Sequence, residues 1–231
     1  MFFMLKSDFS SVFYPKLCVG CETNLHSNEN VLCVNCRHDL PIIKLNNYRK
    51  NEITSLLYGR VIVNKMAAFL YYNKEGVTKR LIHDLKYKKN QNIGVFLADW
   101  FGNILNDYNF FKDIDVIVPV PLHGTKYKER GYNQLTTFGR TLSDNFTIDY
   151  NASVLRRISN AKTQTTKNRF DRFSNINTKF NLTNLTCFEN KHILLIDDVI
   201  TTGATIEACC LELRKTNNIT ISVLTMAFSK R

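Results

Sequence analysis

Ile193-Leu194-Leu195-Ile196-Asp197-Asp198-Val199-Ile200-Thr201-Thr202-Gly203-Ala204-Thr205 is the stretch on which the fold turns. Its first part is a continuous apolar run, the pattern of a strand buried on both faces of a parallel sheet. The run ends at two adjacent carboxylates, and a small-residue loop then leads into TIEACCLELRK (205–215), which reads as a helix. Ligands of open α/β sheets bind outside the carboxyl ends of the strands. A Thr/Gly loop at a helix N-terminus offers hydroxyls and backbone N–H groups to a phosphate, and Gly203 allows close approach of the backbone. Paired acids before such a cradle suit a vicinal diol, as in a ribose 5-phosphate. An ordinary strand–turn–helix with an Asp/Thr cap accounts for one acid and one Thr, but not for two acids followed by TTGAT.

Similar patterns lie on either side. VIVNKMAAFLYY (61–72), IDVIVPV (114–120) and ITISVLTMAF (219–228) read as strands, and HILLID (192–197) is the strand that carries the acids. Val77, Leu81, Ile82 and Leu85 fall at helical spacing over 77–88, and Ile93, Phe96, Leu97 and Phe101 repeat it over 92–105. A further helix is expected over about 132–145, after a charge-rich loop, and 156–180 is polar and basic with weak periodicity. Apolar strands alternating with helices predict the α/β class, a parallel sheet covered on both faces.

Upstream, Cys18, Cys21, Cys33 and Cys36 form C-x2-C-x11-C-x2-C. Two CxxC knuckles can close around one ion, and four thiolates at tetrahedral distances suit a structural Zn²⁺. Disulfides would need an oxidising compartment, which nothing in the sequence indicates. A module this small has too little core to fold without its metal. His26 and His38 are spare nitrogen ligands by position, and Cys209–Cys210 reads as helix packing. The polar stretch Asn46–Asn51 suggests a zinc ribbon over 1–48 and the α/β domain over 49–231.

The chain has 231 residues, 44% apolar and 22% charged, which excludes a disordered or fibrous protein. No apolar run approaches a membrane span, and MFFMLKSDFS is too polar for a secretory signal, so a soluble cytoplasmic protein is expected. The net charge of +11 is unevenly placed. Residues 49–112 hold 11 basic and 5 acidic side chains and 154–180 hold 7 and 1, whereas 181–231 is balanced. Clustered positive charge suits a polyanion, nucleic acid above all. On these counts the excess lies outside the phosphate loop.

Several ordered motifs resemble those of the ComF/GntX-like family: Val118-Pro119-Val120-Pro121-Leu122 with Glu129-Arg130-Gly131-Tyr132-Asn133-Gln134, Ile82-His83-Asp84-Leu85-Lys86-Tyr87, and the stretch from Leu155 through Gln164 to Arg172, Asn175 and Phe180. With the CxxC pairs and the TTGAT loop, the resemblance covers nearly the whole chain. It implies a type I phosphoribosyltransferase-like domain, with a Rossmann-like parallel sheet, behind an N-terminal zinc ribbon. The stretch quoted first resembles that fold's signature for phosphoribosyl diphosphate (PRPP). By this resemblance Asp197 and Asp198 contact the ribose hydroxyls, and Thr201, Thr202, Gly203, Ala204 and Thr205 wrap the 5-phosphate. Mg²⁺ is held mainly by the ligand. Lys126, Arg130, Asn133 and Gln134 become candidates for diphosphate or acceptor contacts, and Arg157, Gln164, Arg172 and Asn175 for a hood over the acceptor. No catalytic residue is assigned, Arg130 and Lys126 being candidates. Hypoxanthine-type enzymes place a general base two positions before the loop glycine; that position here is Thr201, which argues against purine-base chemistry.

Three functions follow as expectations. One is Mg²⁺-dependent phosphoribosyl transfer to an amine or other acceptor. A second, implied by the family's association with natural competence, is PRPP binding together with single-stranded DNA binding in DNA uptake. Its partners would be a competence helicase or other DNA-uptake proteins, and aromatics such as Tyr87, Phe170 and Phe173 interleave the basic stretches. The third is a zinc-dependent interaction protein.

Overall fold

The computed structural model describes residues 15–44, 46–158 and 180–230. In chain order the elements begin with α1 (Val34–His38), a 3-10 turn (Thr54–Leu57), β1 (Met66–Tyr71), α2 (Val77–Tyr87), α3 (Asn92–Asn106) and β2 (Val116–Pro119). They continue with α4 (Gly124–Arg130), α5 (Leu135–Phe146), β3 (Asp149–Tyr150), β4 (Leu155–Arg157), β5 (Phe180–Leu182), β6 (His192–Ile200), α6 (Ala204–Leu213) and β7 (Thr220–Phe228). Five strands form one sheet in the order β1-β7-β6-β2-β3, every neighbouring pair parallel. β1, β2 and β7 are buried along almost their whole lengths, which is why β1 and β2 are unbroken apolar runs and β7 carries only small hydroxyl residues among its apolar ones.

From β2 the chain moves outward to β3, and from β6 it moves the opposite way to β7. The strand order therefore reverses between β2 and β6, and a crevice at such a switch point is where open sheets take ligands. β2 pairs with β6 from Val116↔Ile193 to Pro119↔Ile196; Val120 N still donates to Ile196 O, but the Val120 carbonyl then accepts from the Asn133 side chain. β6 runs on to Ile200 against β7, three residues past the expected 192–197. Both acids consequently lie inside a strand rather than in the loop after it, and strand alternation sends them to opposite faces. Ile196 and Asp198 share the α5 face, where a Cβ at Gly139 would meet Ile196 Cδ1 at 2.7 Å. Asp197 is on the α6 side, where it acts on the Cys209 thiol.

The outer edge of β1 is covered by residues 41–43 and 48: Tyr71 N donates to Pro41 O, Ile43 N to Phe69 O, and Met66 N to Tyr48 O. The cysteine module packs against α2 and α3. Arg80 donates to Gly20 O, and the Arg37 guanidinium sits 4.4 Å from the Trp100 ring centroid and 5.9 Å from that of Phe96. No helix among the described residues is long and apolar enough to cross a membrane.

Three segments differ from expectation. The charge-rich loop contains α4, opened by a His123 cap and closed by Gly131 in the left-handed region at φ 78°; only Arg130 is buried, so no apolar stripe announces it. β1 starts at Met66 rather than 61 because the 3-10 turn and the chain after it occupy 54–63. The polar stretch contributes β4, paired antiparallel with β5. Gln164, Phe170, Arg172, Phe173 and Asn175 lie outside the described residues.

Candidate functional site

β6 hands over directly to the loop. Thr201, Thr202, Ala204 and Thr205 are exposed, while Gly203 is buried under Leu57 and stands at φ 76°, a conformation that costs glycine nothing. Gly203 is the N-cap of α6 and brings no side-chain acceptor, so the first-turn amides keep their positive character toward solvent apart from Ala204 N, which approaches Thr202 Oγ1 at 3.3 Å. A small, solvent-facing concavity results, lined by Asp197 and residues 199–206.

The two acids have different partners. Asp198 is buried; its Oδ1 accepts from Lys86 Nζ at 2.7 Å and its Oδ2 from Gln134 Nε2 at 2.5 Å. Gln134 Oε1 in turn accepts from Arg130 Nη1 at 2.8 Å, and the Arg130 guanidinium lies 5.0 Å from the Tyr87 ring. Asn133 donates to Val120 O, and Tyr132 to Leu85 O. The block from Arg130 to Gln134 thus clamps the end of α2 to the carboxyl ends of β2 and β6, giving Arg130, Asn133 and Gln134 internal partners. Lys126 is exposed on α4. Asp197 accepts the Asp198 N–H at 2.8 Å. Burial, then the neighbouring Asp198 charge, pushes its carboxyl up to about 8, and Lys86 and Arg157 only partly oppose this. Arg157, at the end of β4, lies over the Phe180 ring at 5.4 Å.

Two site residues escaped sequence reasoning. Lys86 sits one helical turn after Ile82, on the flank of the buried stripe of α2, and that placement was a usable signal. Arg60 gave none: its contact with the loop spans 142 residues. Both come from the basic stretch 49–112, and Arg157 comes from 154–180. The separation of charge from loop read in the sequence is therefore corrected by the fold, which brings members of both basic stretches to the neutral segment.

At the other pole, the four cysteine sulfurs all lie within 4.8 Å of one another, Cys21 and Cys33 at 3.6 Å. Tetrahedral zinc with Zn–S of about 2.3 Å separates its sulfurs by about 3.8 Å. Backbone amides of Gly20 and Cys33 donate to Cys18 Sγ and that of Cys36 to Cys33 Sγ, which favours thiolates. Hydrogen bonds with Thr23 bring the Cys21 thiol down to about 6, while burial raises that of Cys36. This donor set fits zinc.

No protein-family model matches the chain. Competence protein F of Haemophilus influenzae is 26% identical over 214 residues, covering 88% of this chain and 93% of the relative. Competence protein ComFC of Bacillus subtilis is 25% identical over 228 residues, covering 94% and 84%. These relatives support assignment to the ComF family. Solved structures similar to this chain include an adenine phosphoribosyltransferase (18% identity, TM-score 0.38, 61% of this chain and 74% of that one). Another is the Saccharomyces cerevisiae adenine phosphoribosyltransferase (18%, TM-score 0.36, 61% and 72%). The chain has the expected architecture, a parallel α/β sheet with a cysteine cluster toward its N-terminus that could hold zinc.

Proposed function

We propose that this ComF-family protein acts in natural competence, binding PRPP with its accompanying Mg²⁺ at the carboxyl end of β6 and single-stranded DNA on the adjoining basic face. The observation that carries the PRPP reading is placement: an acid pair and an uncapped Thr/Gly loop stand together at the point where the strand order reverses. Residues Thr201–Thr205 receive the 5-phosphate. Asp197 faces the ribose, and Lys86, held by Asp198, marks the diphosphate side. Among the described residues, the carboxylates nearest the loop are engaged: Asp198 with Lys86, Glu207 with Arg60, and Asp197 with a backbone amide. None is a free base at the position of Thr201, which favours binding over purine-base transfer; diphosphate release across a panel of acceptors measures transfer directly. The test of binding is titration calorimetry with Mg²⁺-PRPP on wild type and Thr205→Glu. Thr205 is exposed in the first turn of α6, where an acid suits the helix dipole, so the variant folds while its charge repels a phosphate. Loss of PRPP binding in the variant is expected; binding equal to wild type would sink the assignment.

The DNA reading rests on a second observation. Tyr87 is 63% exposed with the Arg130 guanidinium beside its ring, Tyr127 is 53% exposed, and their neighbours in sequence Lys88, Lys89, Lys126 and Lys128 are exposed as well. Aromatic faces amid lysines hold single strands without sequence preference, each stack contributing about 1–3 kcal/mol. Fluorescence anisotropy with oligothymidylate should give affinity that falls steeply with salt, and Tyr87→Ala should weaken it about tenfold. Affinity insensitive to salt, or unchanged by the substitution, rules this face out. A zinc-dependent interaction role remains as an alternative that pull-downs with and without zinc distinguish.

A further inference from the structure

The segment joining the cysteine module to β1 forms an outer wall for the phosphate loop. Its 3-10 turn lays Leu56 and Leu57 over Gly203, where an added Cβ would meet Leu57 Cδ2 at 2.9 Å and Leu56 Cβ at 3.8 Å. Three residues further on, Arg60 reaches the loop itself. Its Nη1 donates to Thr202 O at 2.8 Å and Leu56 O at 3.0 Å, and its Nη2 pairs with the Glu207 carboxylate. Arg60 belongs to none of the sequence motifs, and the side chain keeps 35% of its surface in solvent.

Two consequences follow for an anion seated at Thr201–Thr205. Glu207 lies in the first turn of α6. Its charge suits the helix dipole but repels a dianion at the same helix end. Arg60 cancels that charge where it matters. The same guanidinium holds the Thr202 carbonyl oxygen, the loop dipole of the wrong sign for a phosphate, against the joining segment.

We propose that Arg60 is a positioning residue for the phosphate subsite, setting its affinity for a phosphate monoester dianion by neutralising Glu207 and tethering Thr202. This rests on the PRPP reading above. A partly exposed ion pair contributes little to stability, so substitution at Arg60 leaves the fold intact.

The experiment is calorimetry on wild type, Arg60→Met, Arg60→Lys and the double variant Arg60→Met/Glu207→Gln, each titrated with PRPP, ribose 5-phosphate and Mg²⁺-diphosphate. Arg60→Met should weaken PRPP and ribose 5-phosphate by about tenfold or more and leave Mg²⁺-diphosphate, which lacks the 5-phosphate, within about twofold. Arg60→Lys should regain part of the loss, and so should the double variant, a recovery that a purely structural role would not produce. Ribose 5-phosphate affinity of Arg60→Met equal to wild type overturns the inference while leaving the PRPP reading in place. Equal losses on all three ligands, or no recovery in either companion variant, also overturn it. Wild type that binds neither PRPP nor ribose 5-phosphate overturns both.

Discussion

Strand alternation gives Asp197 and Asp198 different lives. Asp198 is charge-paired to Lys86 inside the protein, whereas Asp197 has no cationic hydrogen-bond partner among the described residues and is held neutral up to about pH 8 by burial and by Asp198. An unfolded Asp ionises near 3.9. Between roughly pH 4 and 8 the native state therefore keeps a proton that the unfolded chain has lost, and stability from this group falls as pH rises through that window. Asp197→Asn removes the dependence, because an amide needs no proton to stay neutral. The variant's advantage over wild type should grow by up to about 1.4 kcal/mol per pH unit between pH 4.5 and pH 8 and then level off, each 1 kcal/mol raising its relative Tm by roughly 2–4 °C for a chain of this size. Thermal melts across that range measure it. Curves for variant and wild type that run parallel throughout would show that Asp197 is ionised in the native state.

At the scale of elements, the sheet was legible for a physical reason: strands buried on both faces are apolar along most of their length, as β1 and β2 are throughout and β6 is over Ile193–Ile196. Helices α2, α3 and α5 were legible because each buries one stripe. Helix α4 was not, since it buries a single residue, Arg130, and is defined by its caps. The end of β6 was misplaced because Val199 and Ile200 looked like the start of a loop once two acids had intervened; pairing with β7 carries the strand through them. The site divides along the same line. The contiguous part of the candidate site, from Asp197 to Thr205, is proposed from residue types, their spacing and the family resemblance. The residues that complete it, Lys86 and Arg60, arrive from helix and loop segments more than 100 residues away, and single-sequence patterns carry no such proximity.

At the scale of the whole molecule, the cysteine module is fastened to the α/β body at identifiable points, and one of them carries its own reporter. Trp100 is the chain's single tryptophan, and the Arg37 guanidinium from α1 packs 4.4 Å from its ring centroid. Helix α1 has five residues, is capped by Cys33 and buries none of its own side chains, so it has little means of persisting without the metal that Cys33 and Cys36 would hold. The sheet, by contrast, draws its core from β1, β2, β6 and β7 and from helices α2, α3, α5 and α6. Stripping zinc from the purified protein with a chelator should therefore uncover Trp100 and shift its emission to longer wavelength, while far-UV circular dichroism retains most of its helical signal. Adding Zn²⁺ back should reverse the shift, and Cys21→Ser should hold the protein near the stripped spectrum because a tetrahedral site cannot close on three thiolates alone. Metal analysis fixes the zinc content of each sample. An emission spectrum that stays the same as zinc falls to zero would mean that the module keeps its seat on α3 without metal, and that the sulfur cluster is not what organises it.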